Sequence, residues 1–118
     1  MEKKTISIGK ETLAYVDCGK GDVVLMIHGN MSSSIHFEPL IERLKDDYRC
    51  VAVDLRGFGD SSYNNRFDTL EELADDVSAF IDALDLGAVN LVGWSNGGGV
   101  SLKLCAKYPE KVKKFFDI

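Results

Sequence analysis

The segment Leu91-Val92-Gly93-Trp94-Ser95-Asn96-Gly97-Gly98-Gly99 places a serine between two glycines, directly after an apolar run. A turn this short from a strand into a helix forces its central residue into a strained conformation with positive φ. Residues two positions before and after the serine can approach it only without a β-carbon, which Gly93 and Gly97 satisfy. At a helix N-terminus, the Ser95 hydroxyl would face unpaired N–H groups and a dipole that favour developing negative charge. The segment predicts a nucleophile elbow for acyl transfer.

The alternative for this segment is a glycine-rich turn that binds phosphate, with Ser95 only capping the helix. Phosphate-binding loops carry a lysine directly after the glycines, and none follows here. The glycines also flank the serine at the spacing of an elbow. The pattern therefore favours acyl transfer over phosphate binding.

A serine nucleophile needs a histidine base and a carboxylate that orients this base. The sequence has two histidines, His28 and His36, and both precede Ser95. In the fold family that this chain resembles by the motifs given below, the acid and the histidine follow the serine. We therefore expect both partners to lie beyond residue 118, and we expect the 118-residue chain to hydrolyse activated esters only feebly.

Composition and charge exclude several classes of partner. A formal net charge of −5 without a basic stripe argues against nucleic acid. The cysteines Cys18, Cys50 and Cys105 are odd in number and widely spaced, which fits neither a disulfide framework nor a zinc site and predicts reduced thiols. The N-terminus lacks the apolar core of a signal peptide, and no run is long enough to span a membrane. A cytoplasmic protein without membrane contact is expected.

The apolar pattern predicts a mostly parallel sheet. An antiparallel hairpin is expected from residues 5–8 and 13–17, which Gly9-Lys10 separates. A last strand, residues 112–116, is more polar and is expected at an edge. Short runs that are apolar on both faces predict central strands covered by helices on each side; they are residues 23–27, 50–53 and 88–92.

Three helices are predicted between and after the central strands. The first begins near Ser32-Ser33-Ser34 and carries an apolar face. The second begins with a capping box of Thr69 and Glu72, and Gly87 is its expected C-cap. The third follows the elbow and stops before Tyr108-Pro109. This alternation predicts a three-layer α/β sandwich. The expected apolar face of the first helix consists of Ile35, Phe37, Leu40, Ile41 and Leu44.

Sheets of this kind bind ligands at the carboxyl ends of their strands. Three motifs fall there: His28-Gly29-Asn30, the loop Asp54-Leu55-Arg56-Gly57-Phe58-Gly59-Asp60-Ser61, and the elbow. With these motifs, essentially the whole chain resembles the N-terminal half of the α/β-hydrolase fold family. The resemblance implies that residues 1–118 are the N-terminal part of a single domain, C-terminally incomplete. The spacing and order of the three motifs are similar to those in esterases, lactonases and carbon–carbon-bond hydrolases of that family.

The resemblance also implies roles for individual residues. Ser95 would be the nucleophile, and the backbone N–H groups of Asn96 and Asn30 would form the oxyanion hole, with Met31 as the reserve donor. His28, beside Gly29, matches a position that shapes the oxyanion loop, so we expect a structural histidine rather than the base. His36 is expected at the surface or its boundary.

In the Asp54–Ser61 loop, the resemblance favours structural roles. Gly57 and Gly59 would allow a tight turn, and Asp54 and Arg56 would satisfy local backbone groups or each other. Asp117 lies at the end of the last strand, where some family members carry the triad acid. Two interpretations of Trp94 stay open, since an aromatic residue beside the nucleophile either lines an acyl pocket or packs.

The leading hypothesis is a serine hydrolase of a small ester, lactone or related carbonyl substrate that acts through an acyl-enzyme without a metal or organic cofactor. Halide-cleaving and epoxide-opening relatives are disfavoured, because they are similar to this fold but carry aspartate at the elbow. The alternatives are a non-catalytic α/β half-domain that binds a partner and a gene fragment without independent activity. The edge strand further predicts self-association or complementation.

Overall fold

Six strands form one sheet in the computed structural model, which describes residues 1–118. The sheet order is β1-β2-β4-β3-β5-β6. Strands β1 and β2 run antiparallel to their neighbours, whereas β4, β3, β5 and β6 pair in parallel. The predicted hairpin and the mostly parallel sheet are confirmed. The strands are β1 (Lys4–Ser7), β2 (Thr12–Cys18), β3 (Val23–Ile27), β4 (Arg49–Val53), β5 (Val89–Gly93) and β6 (Val112–Asp117).

Helices cover both faces of this sheet. The helices are α1 (Glu38–Leu44), α2 (Leu70–Ala83) and α3 (Asn96–Lys107), with 3₁₀ turns at Ser34–Phe37 and Pro109–Lys111. Alternate residues of β3 show the two layers, since Leu25 and Ile27 belong to the larger core while Val24 and Met26 belong to the smaller one. Helices α2 and α3 contribute to the larger core, and α1 contributes to the smaller one. The three-layer sandwich is therefore confirmed.

Local signals placed most helix ends correctly. The Thr69 hydroxyl accepts from the Glu72 N–H, and the Glu72 carboxylate accepts from the Thr69 N–H, so the predicted capping box is formed. Helix α3 ends at Lys107, directly before Tyr108-Pro109.

No helix combines the length and apolarity that crossing a bilayer requires. All three cysteines are free thiols.

Two helix predictions were wrong in detail. Ile35 is 59% exposed, because the 3₁₀ turn before α1 directs it to solvent, whereas Phe37 of the same turn and Ile41 of α1 are buried. Gly87 does not cap α2: Asp85 already takes the left-handed conformation with φ 54°. The Leu86 N–H then bonds the Ile81 carbonyl, which closes a Schellman motif two residues before the glycine.

Strand β6 is the edge of the sheet next to β5, as expected, and it extends one residue further than predicted. Its burial is poor, and the Phe116 side chain is 52% exposed. Lys111 precedes the strand, but its charge is not available to deter another strand from pairing with this edge. Its ammonium group instead donates to the Ser78 hydroxyl at 2.6 Å and to Asp82 at 2.8 Å.

Candidate active site

Ser95 lies at the junction of β5 and α3, with φ 55° and ψ −117°. Positive φ is strained for a residue with a β-carbon, and such strain persists only where the surroundings enforce it. Gly93 ends β5, and Asn96 begins α3, so the change from strand to helix takes two residues. The serine is exposed. The predicted sharp turn with positive φ is confirmed.

The two glycines allow close packing around this turn. A β-carbon on Gly93 would lie 2.7 Å from the Ser101 Oγ and 2.8 Å from the Gly97 carbonyl oxygen. A β-carbon on Gly97 would collide with the Ile27 carbonyl group at the end of β3. The close approach is thus between α3 and the sheet as well as within the turn itself.

Helix α3 supplies a free amide beside the serine. The Gly97 and Gly98 N–H groups bond the Trp94 and Ser95 carbonyls, each at 2.9 Å. Asn96 is the first residue of the helix, so no carbonyl one turn earlier in the helix accepts its N–H. Its amide is therefore suited to bind an anion at the helix N-terminus.

The loop after β3 is the second element near the serine. The register pairs Ile27 with Gly93, which brings the carboxyl end of β3 beside the elbow. Asn30 and Met31 follow in an exposed turn, and Met31 is 91% exposed with φ 60°. Their role as oxyanion donors stays a prediction.

His28 is fully buried and has no ring nitrogen to spare. Its Nε2 accepts from the Leu55 N–H at 2.9 Å, so the other nitrogen, Nδ1, carries the proton and donates to the Gly29 carbonyl at 2.8 Å. Burial holds the pKa of His28 below its ordinary value. His28 therefore joins the ends of β3 and β4, and these contacts are in line with the expected structural role.

His36 is exposed, as expected, but it has a partner that sequence reasoning missed. Its ring stacks on Trp94 with the ring centroids 4.1 Å apart and the planes at 17°. Trp94 also packs on Gly29, where a β-carbon would lie 2.6 Å from its Cε3. Of the two open interpretations of Trp94, these contacts favour packing. No local sequence signal pairs two residues from such distant segments.

Asp54 is a buried carboxylate that holds three segments together. Its Oδ1 accepts from the Ser34 N–H at 2.7 Å, and its Oδ2 accepts from Lys3 at 2.7 Å and from the Asp60 N–H at 3.0 Å. Burial alone raises the pKa of Asp54, but hydrogen bonds from Lys3, Asp60 and Ser34 outweigh it and hold that pKa below its usual range. The residue fixes the loop after β3 from the side opposite the elbow.

Arg56 does not pair with Asp54, which corrects one of the two expected arrangements. Its guanidinium forms a bidentate pair with Asp76 of α2, at 2.8 and 2.7 Å. Asp54 points instead toward Gly59, where any β-carbon would overlap its carboxylate. Gly57 and Gly59 have φ of 83° and 53°, in line with the tight turn expected of them.

Glu11 is a buried carboxylate that sequence reasoning missed. It accepts from the Ser62 hydroxyl at 2.7 Å, from the Asn64 N–H at 3.0 Å and from the Asn65 N–H at 2.8 Å. Burial on its own raises the pKa of Glu11, but the hydrogen bonds from Ser62, Asn64 and Asn65 lower it to about 2. This residue anchors the segment between β4 and α2 to the N-terminal hairpin.

Asp117 ends β6 opposite Gly93 in the parallel register. Its carboxylate lies beside the first turn of α3, because a β-carbon on Gly98 would be 2.6 Å from its Oδ1. An acidic side chain therefore adjoins the elbow, as expected from its place in the sequence. The side chain is exposed.

The largest groove is not at the elbow. It has a volume of about 440 Å³ and lies on the α1 face beside β6. No residue from Gly93 to Gly99 lines it, so we do not assign it to the substrate. Among its lining residues are Val24, Leu44, Tyr48, Val92, Lys113 and Phe116.

Comparisons with known proteins agree with this geometry. The family model of the alpha/beta hydrolase fold matches residues 22–116. A 2-(acetamidomethylene)succinate hydrolase from Mesorhizobium japonicum is 38% identical over 115 residues, which are 98% of this chain and 41% of that protein. A pimeloyl-[acyl-carrier protein] methyl ester esterase from Neisseria meningitidis is 40% identical over 90 residues, 76% of this chain and 33% of that protein.

A solved structure gives the same picture for the fold. The crystal structure of an epoxide hydrolase from Vigna radiata matches with a TM-score of 0.93 and 34% identity, over 98% of this chain and 39% of that one. This chain thus spans between 33% and 41% of the length of the three proteins. All three are named for hydrolytic reactions, but on three different kinds of compound.

Proposed function

Because the chain belongs to the α/β-hydrolase fold family, we propose that it carries the nucleophile of a serine hydrolase that forms an acyl-enzyme. The observation that carries this proposal is the exposed Ser95 at φ 55°, held at the N-terminus of α3. The strained backbone at Ser95 does not serve to cap the helix, since the side chain makes no capping bond to α3. A catalytic role for the exposed hydroxyl would account for this strain.

In the proposed reaction, the Ser95 Oγ attacks a carbonyl carbon and the carbonyl oxygen gains negative charge. The Asn96 N–H and an N–H from Asn30 or Met31 donate to that oxygen. Each such donor contributes roughly 3 kcal/mol to transition-state stabilisation. The general base takes the Ser95 proton and passes it to the departing alkoxide, which leaves as the alcohol. Water, which gives a proton to the same base, then attacks the acyl-serine ester, and the acid is released while Ser95 regains its proton.

The choice of a serine restricts the substrate class. Attack on a carbonyl produces an ester at Ser95, which water can cleave in the second step. Attack on an alkyl halide or an epoxide carbon would instead produce an alkyl ether, which does not hydrolyse and would inactivate the protein. We therefore propose a small ester, lactone or related carbonyl substrate, and we do not transfer the epoxide chemistry named for the Vigna radiata protein.

A general base is needed to take the Ser95 proton, and His28 cannot act as this base. Both of its ring nitrogens are engaged with backbone groups inside the core. The other histidine, His36, lies in the loop after β3, where its ring is stacked on Trp94. We propose that residues 1–118 are the N-terminal part of one hydrolase domain whose base lies outside these residues, with Asp117 as a candidate for the carboxylate that orients it. The free thiols support a reducing, cytoplasmic location as part of this proposal.

A non-catalytic half-domain is the second candidate, and the poorly buried edge strand β6 favours it, because an unpaired edge can bind another strand. In this case the elbow would be retained without chemistry, and β6 would bind a partner or a second copy. The two candidates differ in one property, since only a catalytic protein has a nucleophilic serine.

Labelling with a fluorophosphonate probe, followed by peptide mass spectrometry, separates the two candidates. We expect one adduct, at Ser95, that is absent in Ser95→Ala. The matched control is Ser7→Ala, which removes another exposed serine hydroxyl and should keep the adduct. In the full-length protein, which on this proposal includes the base, equal labelling of Ser95→Ala or an intact Ser95 after exhaustive treatment would refute the serine hydrolase and favour the half-domain.

A further inference from the structure

Trp94, the residue directly before the proposed nucleophile, contacts both ends of one loop. Its backbone N–H bonds the Ile27 carbonyl at 3.1 Å, which ties the elbow to the end of β3. Its ring packs on Gly29, where a β-carbon would lie 2.6 Å from Cε3 and 2.7 Å from Cζ3. His36, at the far end of the loop, stacks on the same indole with the ring centroids 4.1 Å apart. The loop from Gly29 to His36 is therefore closed by one side chain.

The part of the loop between these contacts is weakly held. Asn30 and Met31 are exposed, and Met31 has a φ of 60° in spite of its β-carbon. The next anchor is the Ser34 N–H, which bonds Asp54 at 2.7 Å. That bond fixes the loop to the end of β4, on the other side from Ser95. Among the hydrogen bonds and aromatic contacts of this loop, the stack of His36 on Trp94 is the one that joins it to the elbow.

We propose that His36 is a positioning residue, which through its stack on Trp94 holds the Asn30 and Met31 amides in place relative to Ser95. An oxyanion hole needs its two donors at a fixed separation, and here they come from two segments, the first turn of α3 and the loop after β3. The nearly parallel rings, at 17°, resist rotation of the loop around its Gly29 end. The effect of His36 on catalysis rests on the proposed function. The ordering of the loop by the stack of His36 on Trp94 does not.

The test compares His36→Ala with His36→Phe, which keeps a flat ring that can stack. Hydrogen–deuterium exchange of the peptide that covers residues 29–36 reports loop order without any need for activity. Exchange in His36→Ala should be faster than in the wild type, and His36→Phe should restore slow exchange. The matched control is Ile35→Ala, a neighbour that is 59% exposed and does not stack, and it should leave the exchange unchanged.

Hydrolysis of p-nitrophenyl acetate by the same variants gives the catalytic consequence. Loss of one aromatic pair predicts a kcat lower by about 2- to 10-fold in His36→Ala, with KM unchanged and with rescue by His36→Phe. A loss that His36→Phe does not rescue, or equal exchange in all variants, overturns the positioning role. If Ser95→Ala keeps the full rate of hydrolysis, the proposed function fails instead, and the exchange data still decide whether the stack orders the loop.

Discussion

Gly97→Ala and Gly99→Ala make the same change in the same helix, yet the structure predicts opposite effects on stability. Gly97 faces the end of β3: a β-carbon there would lie 2.6 Å from the His28 carbonyl oxygen and 2.7 Å from the Ile27 carbonyl carbon. These are backbone atoms that cannot rotate away. Gly99 faces only the Leu70 Cδ1, at 2.9 Å, which is the end of a flexible side chain.

The magnitude follows from three contributions. Forcing a methyl group between α3 and β3 costs about 1–3 kcal/mol. Displacement of the Ile27 carbonyl also weakens its hydrogen bond from the Trp94 N–H, at about 1 kcal/mol. The better helix propensity of alanine returns at most about 1 kcal/mol. We expect Gly97→Ala to lose about 1–3 kcal/mol, whereas Gly99→Ala should be neutral or more stable by up to about 1 kcal/mol.

Urea unfolding followed by tryptophan fluorescence measures the free energy of unfolding of both variants. The sequence has one tryptophan, Trp94, and it lies at this contact. Far-UV circular dichroism provides a second probe of the same transition, so that a local change near Trp94 is not mistaken for unfolding. A Gly97→Ala protein as stable as Gly99→Ala would refute the reasoning, because it would mean that α3 does not press on the end of β3.

Three further predictions concern buried carboxylates and the sheet edge. Asp54→Ala should lower the free energy of unfolding in urea by about 3–5 kcal/mol, because it leaves Lys3 and two backbone N–H groups without their partner. A change at the exposed Asp60 should lower it by less than about 1 kcal/mol. Equal effects would show that the Asp54 carboxylate does not hold these segments together. Glu11 has its pKa lowered from 4.5 to about 2, so its ionised form stabilises the fold above pH 4.5 and this stabilisation is lost as the pH falls toward 2. Glu11→Gln should therefore flatten the stability curve in that window, and an unchanged slope would show that Glu11 is not responsible. We expect the protein to self-associate through β6, so Phe116→Glu should reduce the concentration-dependent association seen in analytical ultracentrifugation. Tyr63→Glu, at another exposed aromatic residue, should leave the association unchanged. Association that persists in Phe116→Glu would exclude β6 as the contact.

The elements that could be predicted from the sequence are those whose partners lie close together in the chain. Thr69 and Glu72 are one helical turn apart, so their capping box is visible before any fold is known. The strained turn at Ser95 follows in the same way from glycines two residues to either side. The sheet followed from the apolar runs, because central strands are buried on both faces.

Features that depend on distant partners could not be predicted. Asp54 and Arg56 are close in the sequence, but Lys3 and Asp76 lie nearer to them in space, and the polar groups pair accordingly. The stack of His36 on Trp94 exists only once β3 and β5 are neighbours. The end of α2 was missed for another reason, since an aspartate tolerates the left-handed conformation that was assigned to Gly87.

The ion pair between Lys3 and Asp54 has a practical consequence for anyone who handles this protein. Asp54 also holds the Ser34 N–H, so the third residue of the chain is two contacts away from the loop beside Ser95. Loss of Lys3, by substitution or by proteolysis, therefore acts on the same carboxylate as a mutation in the loop. Preparations with and without an intact Lys3 should therefore be compared as if they were different variants of the loop.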